Sequence, residues 1–161
     1  ILVLMQNPGD ASLRGADIFE WVENTVIELR KHTDRPIRIR PHPLPNKQQK
    51  LEQLKQKLRD VTFVENKLPD NLRPLSEDFK NCWCVVTYSS GSSVDAVMAG
   101  IPNIACDTGN MAWPISSTKL DMIEEPYTGD TELWEQQISH CQFSIEELRN
   151  GTCWNHIRQS L

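Results

Sequence analysis

Five short apolar runs constrain what this chain can fold into. They are ILVLMQ at 1–6, PIRIR at 36–40, VTFV at 61–64, CWCVVTY at 82–88 and IPNIAC at 101–106. The first is continuous rather than alternating, the pattern of a strand buried on both faces in a parallel sheet. Helical spacing fills the intervals. Ile18, Phe19, Val22, Val26 and Leu29 recur within Ala16–His32, and Leu51, Leu54 and Leu58 form one stripe within Asn46–Asp60. A short helix is expected near Ser76–Asn81, and another over Ser92–Gly100 with Gly100 as its terminal cap. Strand and helix alternate, which predicts an α/β fold: a Rossmann-like, doubly wound parallel sheet of about five strands with helices on both faces.

Residues 107–130 carry no regular period. Beyond them Thr131–Cys141, Ser144–Asn150 and Thr152–Leu161 read as a helical carboxy-terminal tail, with Ser144 and Glu147 spaced as a capping box. The 161 residues suffice for one domain with its own core, so residues 1–161 are read as a single Rossmann-like domain. The chain opens at Ile1 with a strand already under way, which reads as a piece of a longer protein.

Charge narrows the function. A net charge of −5 gives no electrostatic footprint for nucleic acid, although RKHTDRPIRIR at 30–40 is locally basic. No stretch reaches the ~20 apolar residues of a membrane helix, and Ile1–Met5 lacks the basic lead-in of a signal peptide. The five cysteines are odd in number and sit largely in apolar runs, which suits reduced thiols in the cytoplasm. Cys82 and Cys84 stand two apart in an apolar run, and no second ligand pair with zinc spacing accompanies them. No metal site is expected.

In open α/β sheets ligands bind beyond the carboxyl ends of the strands. The residues that follow each strand are therefore the ones to weigh. After the first come Gln6, Asn7, Asp10 and Ser12; after the second, Arg40-Pro41-His42-Pro43; after the third, Glu65-Asn66-Lys67; after the fourth, Ser89-Ser90-Gly91-Ser92-Ser93; after the fifth, Asp107 to Met111 with Asn110. Hydroxyls and a glycine at a helix start let an anion approach the free backbone N–H groups there, and phosphate is the usual one. The plainer reading is that Ser90 or Ser92 caps the helix and Gly91 serves a turn. Two prolines hold Arg40 and His42 in a stiff loop, where arginine can clamp phosphate and imidazole can donate to phosphate or ribose. The plainer reading puts Arg40 in a surface salt bridge and His42 in a turn.

Other residues carry less. There is no G-x-x-x-x-G-K loop, no G-x-G-x-x-G fingerprint and no G-x-S-x-G elbow. His32, His140 and His156 lie on helices as packing or surface residues, and so do Trp134 and Trp154. Asp95 sits in the first turn of its helix, where a carboxylate favours the dipole. Asp10 is the best local candidate for a general base, and is equally a turn residue. Glu124–Glu125 is an acidic patch or a ribose-binding carboxylate.

The order of these motifs carries a resemblance. Arg40-Pro41-His42-Pro43, then Tyr88-Ser89-Ser90-Gly91-Ser92-Ser93, then Asp95-Ala96-Val97-Met98-Ala99-Gly100-Ile101-Pro102 resembles the carboxy-terminal half of GT-B glycosyltransferases. The likeness is closest to the capsule-polysaccharide and Kdo- or sialyltransferase-like group. The tail around Trp134, Phe143, Ser144 and Trp154 resembles phage-encoded glycosyltransferase-like proteins. The resemblance implies a nucleotide-sugar donor as substrate, a cytidine nucleotide among the options, with no bound metal or cofactor. It implies that His42 and Ser89–Ser93 contact the donor phosphates or nucleoside, and that Gln6 and the Asn7–Ser12 loop face the cleft. It also implies an amino-terminal domain or partner subunit that supplies the catalytic base, and a glycan or modified phage DNA as acceptor. Two other classes stay open: a non-catalytic nucleotide- or phospho-ligand-binding module, and a nucleotide-sugar epimerase-like protein.

Overall fold

The computed structural model describes residues 1–43, 47–65 and 71–159. Leu44 and Pro45 of the proline-rich loop, Asn46 at the expected start of the second helix, Asn66 and Lys67 after the third strand, and the final Leu161 lie outside them. The chain forms two compact units, Ile1–Gly129 and Asp130–Leu161.

The first unit is an α/β fold built on five parallel strands: β1 (Leu2–Leu4), β2 (Arg38–Arg40), β3 (Thr62–Phe63), β4 (Val85–Thr87) and β5 (Asn103–Ala105). Their order across the sheet is β3-β2-β1-β4-β5. β1 is central: Val3 lies opposite Ile39 on one side and Val86 on the other. Each apolar run is longer than the ladder it contributes, because apolar character records burial rather than pairing.

Burial on both faces follows from the pleat. Val3, Ile39, Val86 and Ile104 point to one side, where helix α1 (Ile18–Leu29) packs Val22, Val26 and Leu29 and helix α2 (Gln48–Lys57) packs Leu54. Leu2, Leu4 and Val85 point to the other, against Ala96 of helix α4 (Ser92–Met98) and Leu75 and Phe79 of helix α3 (Leu75–Phe79). This is the doubly wound arrangement the alternation predicts. Cys84 joins the first cluster and the partly buried Cys82 packs against the second; both precede β4, so the pleat does not set their sides.

Local signals set the helix ends. Asp17 caps α1 by accepting the Phe19 N–H at 2.9 Å, so the helix starts two residues later than the apolar spacing suggests. Gly100 follows α4 at φ +74°, a left-handed position that glycine occupies without strain. The stretch 107–130 is not featureless: 3-10 turns occupy Trp113–Ile115 and Leu120–Glu124.

The second unit holds α5 (Glu132–His140), α6 (Ile145–Arg149) and α7 (Thr152–Gln159). Ser144 and Glu147 close the expected capping box, with Ser144 N donating to Glu147 at 2.7 Å and Glu147 N donating to Ser144 at 3.2 Å. The His140 ring packs edge-on against His156 with centroids 4.3 Å apart. Among the described residues no helix is long and apolar enough to cross a membrane.

Candidate functional site

The strand order reverses beside β1. The chain leaves β1, builds β2 and β3 on one side, then returns to lay β4 on the other. The loops after β1 and β4 therefore diverge from neighbouring strands, and the gap between them is where doubly wound sheets bind ligands. A cleft of about 420 Å³ opens there. The first loop gives it Gln6, Asn7, Asp10 and Ser12; the second gives Arg40, Pro41, His42 and Pro43. The fourth gives Ser89, Ser90, Gly91 and Ser92, and Asp95 adds a second carboxylate from the first turn of α4. The proline-braced loop and the serine turn, about fifty residues apart in sequence, line one hollow.

Gln6 ties the floor together. Its side chain is buried, and its Oε1 accepts the Ser89 N–H at 2.8 Å. Its Nε2 donates to Ser12 Oγ at 2.8 Å and to Ser89 Oγ at 3.2 Å. Ser89 Oγ in turn donates to the Ser12 carbonyl at 2.8 Å. Asp10 caps a 3-10 turn over Ala11–Leu13, accepting the Ser12 N–H at 2.9 Å and the Ser12 hydroxyl at 2.7 Å. These two bonds, the backbone one first, hold the Asp10 carboxyl below the usual aspartate range, and His42 adds to the effect. Asp10 is thus a fixed acceptor and a weak base. Burial pushes the His42 imidazole below the ordinary histidine range, and the Asp10 charge opposes this only in part. At neutral pH the ring is uncharged, with one donating and one accepting nitrogen.

The serine turn differs from expectation in one respect. The Ser92 N–H donates to Ser90 Oγ at 3.2 Å, the Ser93 N–H to the Ser90 carbonyl at 3.1 Å and the Val94 N–H to the Gly91 carbonyl at 2.9 Å. The amides of the first turn are occupied inside the chain. Ser90, Gly91 and Ser92 line the cleft, and Gly91 does so without a side chain. Gly91 has φ −59°, so no left-handed backbone demands it, and a Cβ there would meet nothing nearer than Met111 Cε at 3.9 Å.

Ser93 and Asn110, expected at the site, lie under it instead. Both are buried, and Ser93 Oγ donates to Asn110 Oδ1 at 2.7 Å. Asn110 Nδ2 donates to Thr87 Oγ1 at 2.8 Å and to the Tyr88 carbonyl at 3.1 Å. Neither lines the cleft. Together they fasten the loop after β5 to the end of β4 and the start of α4.

Arg40 lines the cleft but is not a loose clamp. One η nitrogen donates to the carboxylate of Asp78, which is wholly buried, and the other to the Arg73 carbonyl at 2.6 Å. Asp78 on α3 had no sequence signal: it reads as one acid on a short polar helix, 38 residues from its partner. Asn7 Oδ1 is a buried acceptor with no hydrogen-bond partner among the described residues. His32 Nε2 donates to Glu28 Oε1 at 3.2 Å, a surface contact. Among the described residues no cluster of three or more His, Cys, Asp or Glu side chains is arranged to hold a metal ion.

No protein-family model matches this chain, and no curated protein matches it.

Proposed function

We propose that this chain is the donor-binding half of a metal-independent glycosyltransferase of the GT-B type, with a nucleotide sugar in the cleft at the β1–β4 switch point. One observation carries the reading: His42 and Ser90–Ser92 come from two distant loops and line the same hollow. A phosphate there meets the Ser90 and Ser92 hydroxyls, an imidazole N–H and the positive field of Arg40, and these groups stabilise the charge left when the sugar departs. Asp10 and Asp95 suit the hydroxyl-rich parts of the same ligand, ribose or sugar. The sugar passes to a glycan or modified-DNA acceptor, with the base supplied from another domain or subunit.

The low basicity of Asp10 favours a second reading, in which the chain alone binds a nucleotide without turnover. Calorimetric titration with a panel of nucleotide sugars and mononucleotides, followed by a hydrolysis assay, separates the two. His42→Ala is expected to weaken binding by about 1–3 kcal/mol, the loss of a charge-assisted hydrogen bond. Wild-type affinity in both His42→Ala and Ser92→Ala would remove the site.

A further inference from the structure

We infer that Asp78, which does not line the cleft, is the positioning residue that makes Arg40 an anion-binding group; the inference rests on the phosphate-binding reading of the cleft. Three arginines converge on this one aspartate. Arg40 donates to one carboxylate oxygen and Arg73 Nε to the other at 3.0 Å, while Arg38 Nη2 donates to the Asp78 backbone carbonyl at 2.6 Å. The Arg40 side chain is only 10% exposed and that of Asp78 is 0% exposed.

Two physical consequences follow. An arginine side chain loses much rotamer freedom when it binds an anion, and one already held at two points has lost that freedom on folding. The cluster also sets three positive charges against one carboxylate, so the wall that Arg40 presents stays cationic while Asp78 offsets the cost of burying its guanidinium. A surface arginine at the same strand end would supply equal charge with neither the orientation nor the reduced hydration. Asp78 sits on α3, whose Leu75 also borders the cleft, so the anchor belongs to a packed helix rather than to the loop.

The test compares Asp78→Asn, Arg40→Met and the double variant, all in the full chain, with inorganic pyrophosphate and cytidine monophosphate as probes. Thermal melts fix a temperature at which each variant is folded. Asp78→Asn is expected to weaken probe binding about tenfold, the size of one charge-assisted bond. In the Arg40→Met background the same change is expected to cost nothing further, an outcome that general loosening of the fold does not produce. Arg73→Met, which touches Asp78 from outside the cleft, is the milder variant should Asp78→Asn not fold, with a loss of about threefold. The ¹⁵N signal of the Arg40 Nε–H, read without ligand, is expected to be sharp in the wild type and broadened in Asp78→Asn. Wild-type affinity in folded Asp78→Asn and Arg73→Met overturns the inference, as do additive losses in the double variant. A wild type that binds neither probe while the Arg40 signal stays sharp overturns it by a different route, because the cleft reading itself then fails.

Discussion

Gln6 and Ser89 hold each other in both directions: the Gln6 Oε1 accepts the Ser89 backbone N–H at 2.8 Å while its Nε2 donates to the Ser89 hydroxyl at 3.2 Å. The pair joins two loops that leave adjacent parallel strands, and the two residues are 83 positions apart in sequence. Replacing Gln6 by leucine keeps the bulk and strips the partners. The Ser89 N–H is then left without its acceptor at a partly buried site, which costs about 1 kcal/mol. Urea unfolding measures it, and a loss below about 0.5 kcal/mol, the scale of an ordinary surface substitution, would show that the tie is dispensable.

Gly91 separates folding from binding. Its backbone is ordinary for any residue and a Cβ has room, so Gly91→Ala is expected to raise stability by about 0.4–1 kcal/mol through the unfolded chain. The same methyl group stands on the rim of the cleft and is expected to weaken nucleotide binding. A variant that is more stable and binds as well as the wild type would remove the ligand from this flank.

The pH dependence follows from His42. Its folded pKa lies below the ordinary histidine value because burial disfavours the charged ring. Above the unfolded pKa, about 6.5, both states are neutral and the fold loses nothing. As pH falls through that value the unfolded chain takes up a proton that the folded ring resists, so stability declines until the lower folded pKa is reached. A bound phosphate favours the protonated ring, so phosphate affinity is expected to rise as pH is lowered from 8 to 6. His42→Ala is expected to flatten both trends, and a proton-NMR titration of the ring checks the direction.

The cysteines sort by burial. Burial pushes the Cys106 thiol up to about 12 and raises Cys84 as well, whereas Cys141 is exposed. Iodoacetamide at pH 8 is expected to modify Cys141 first and to leave Cys84 and Cys106 intact in the native chain, as mass spectrometry of the digested product would report.

The layers of the fold were legible because each strand and helix carries its own period. The elements that escaped are those too short to have one, such as Trp113–Ile115 and Leu120–Glu124. At the site, position after a strand was a sound guide to neighbourhood and a poor guide to role. Ser90 and Ser93 are three residues apart and of one type, yet one borders the cleft and the other is sealed beneath it against Asn110. A hydroxyl near a strand end looks the same in sequence whether it serves a ligand or a neighbouring loop. Asp78 was illegible for another reason: its partner Arg40 is remote in sequence, and only the packing of α3 brings them together.

The central place of β1 has a consequence for how the chain is made. Leu2–Leu4 are made before the other four strands, but one of their two neighbours, Val85–Thr87, follows some eighty residues later. Until then the nascent strand keeps a bare hydrogen-bonding edge flanked by apolar side chains, the kind of surface that recruits other strands. Products truncated before residue 85 are therefore expected to clump rather than stop at a half-built sheet.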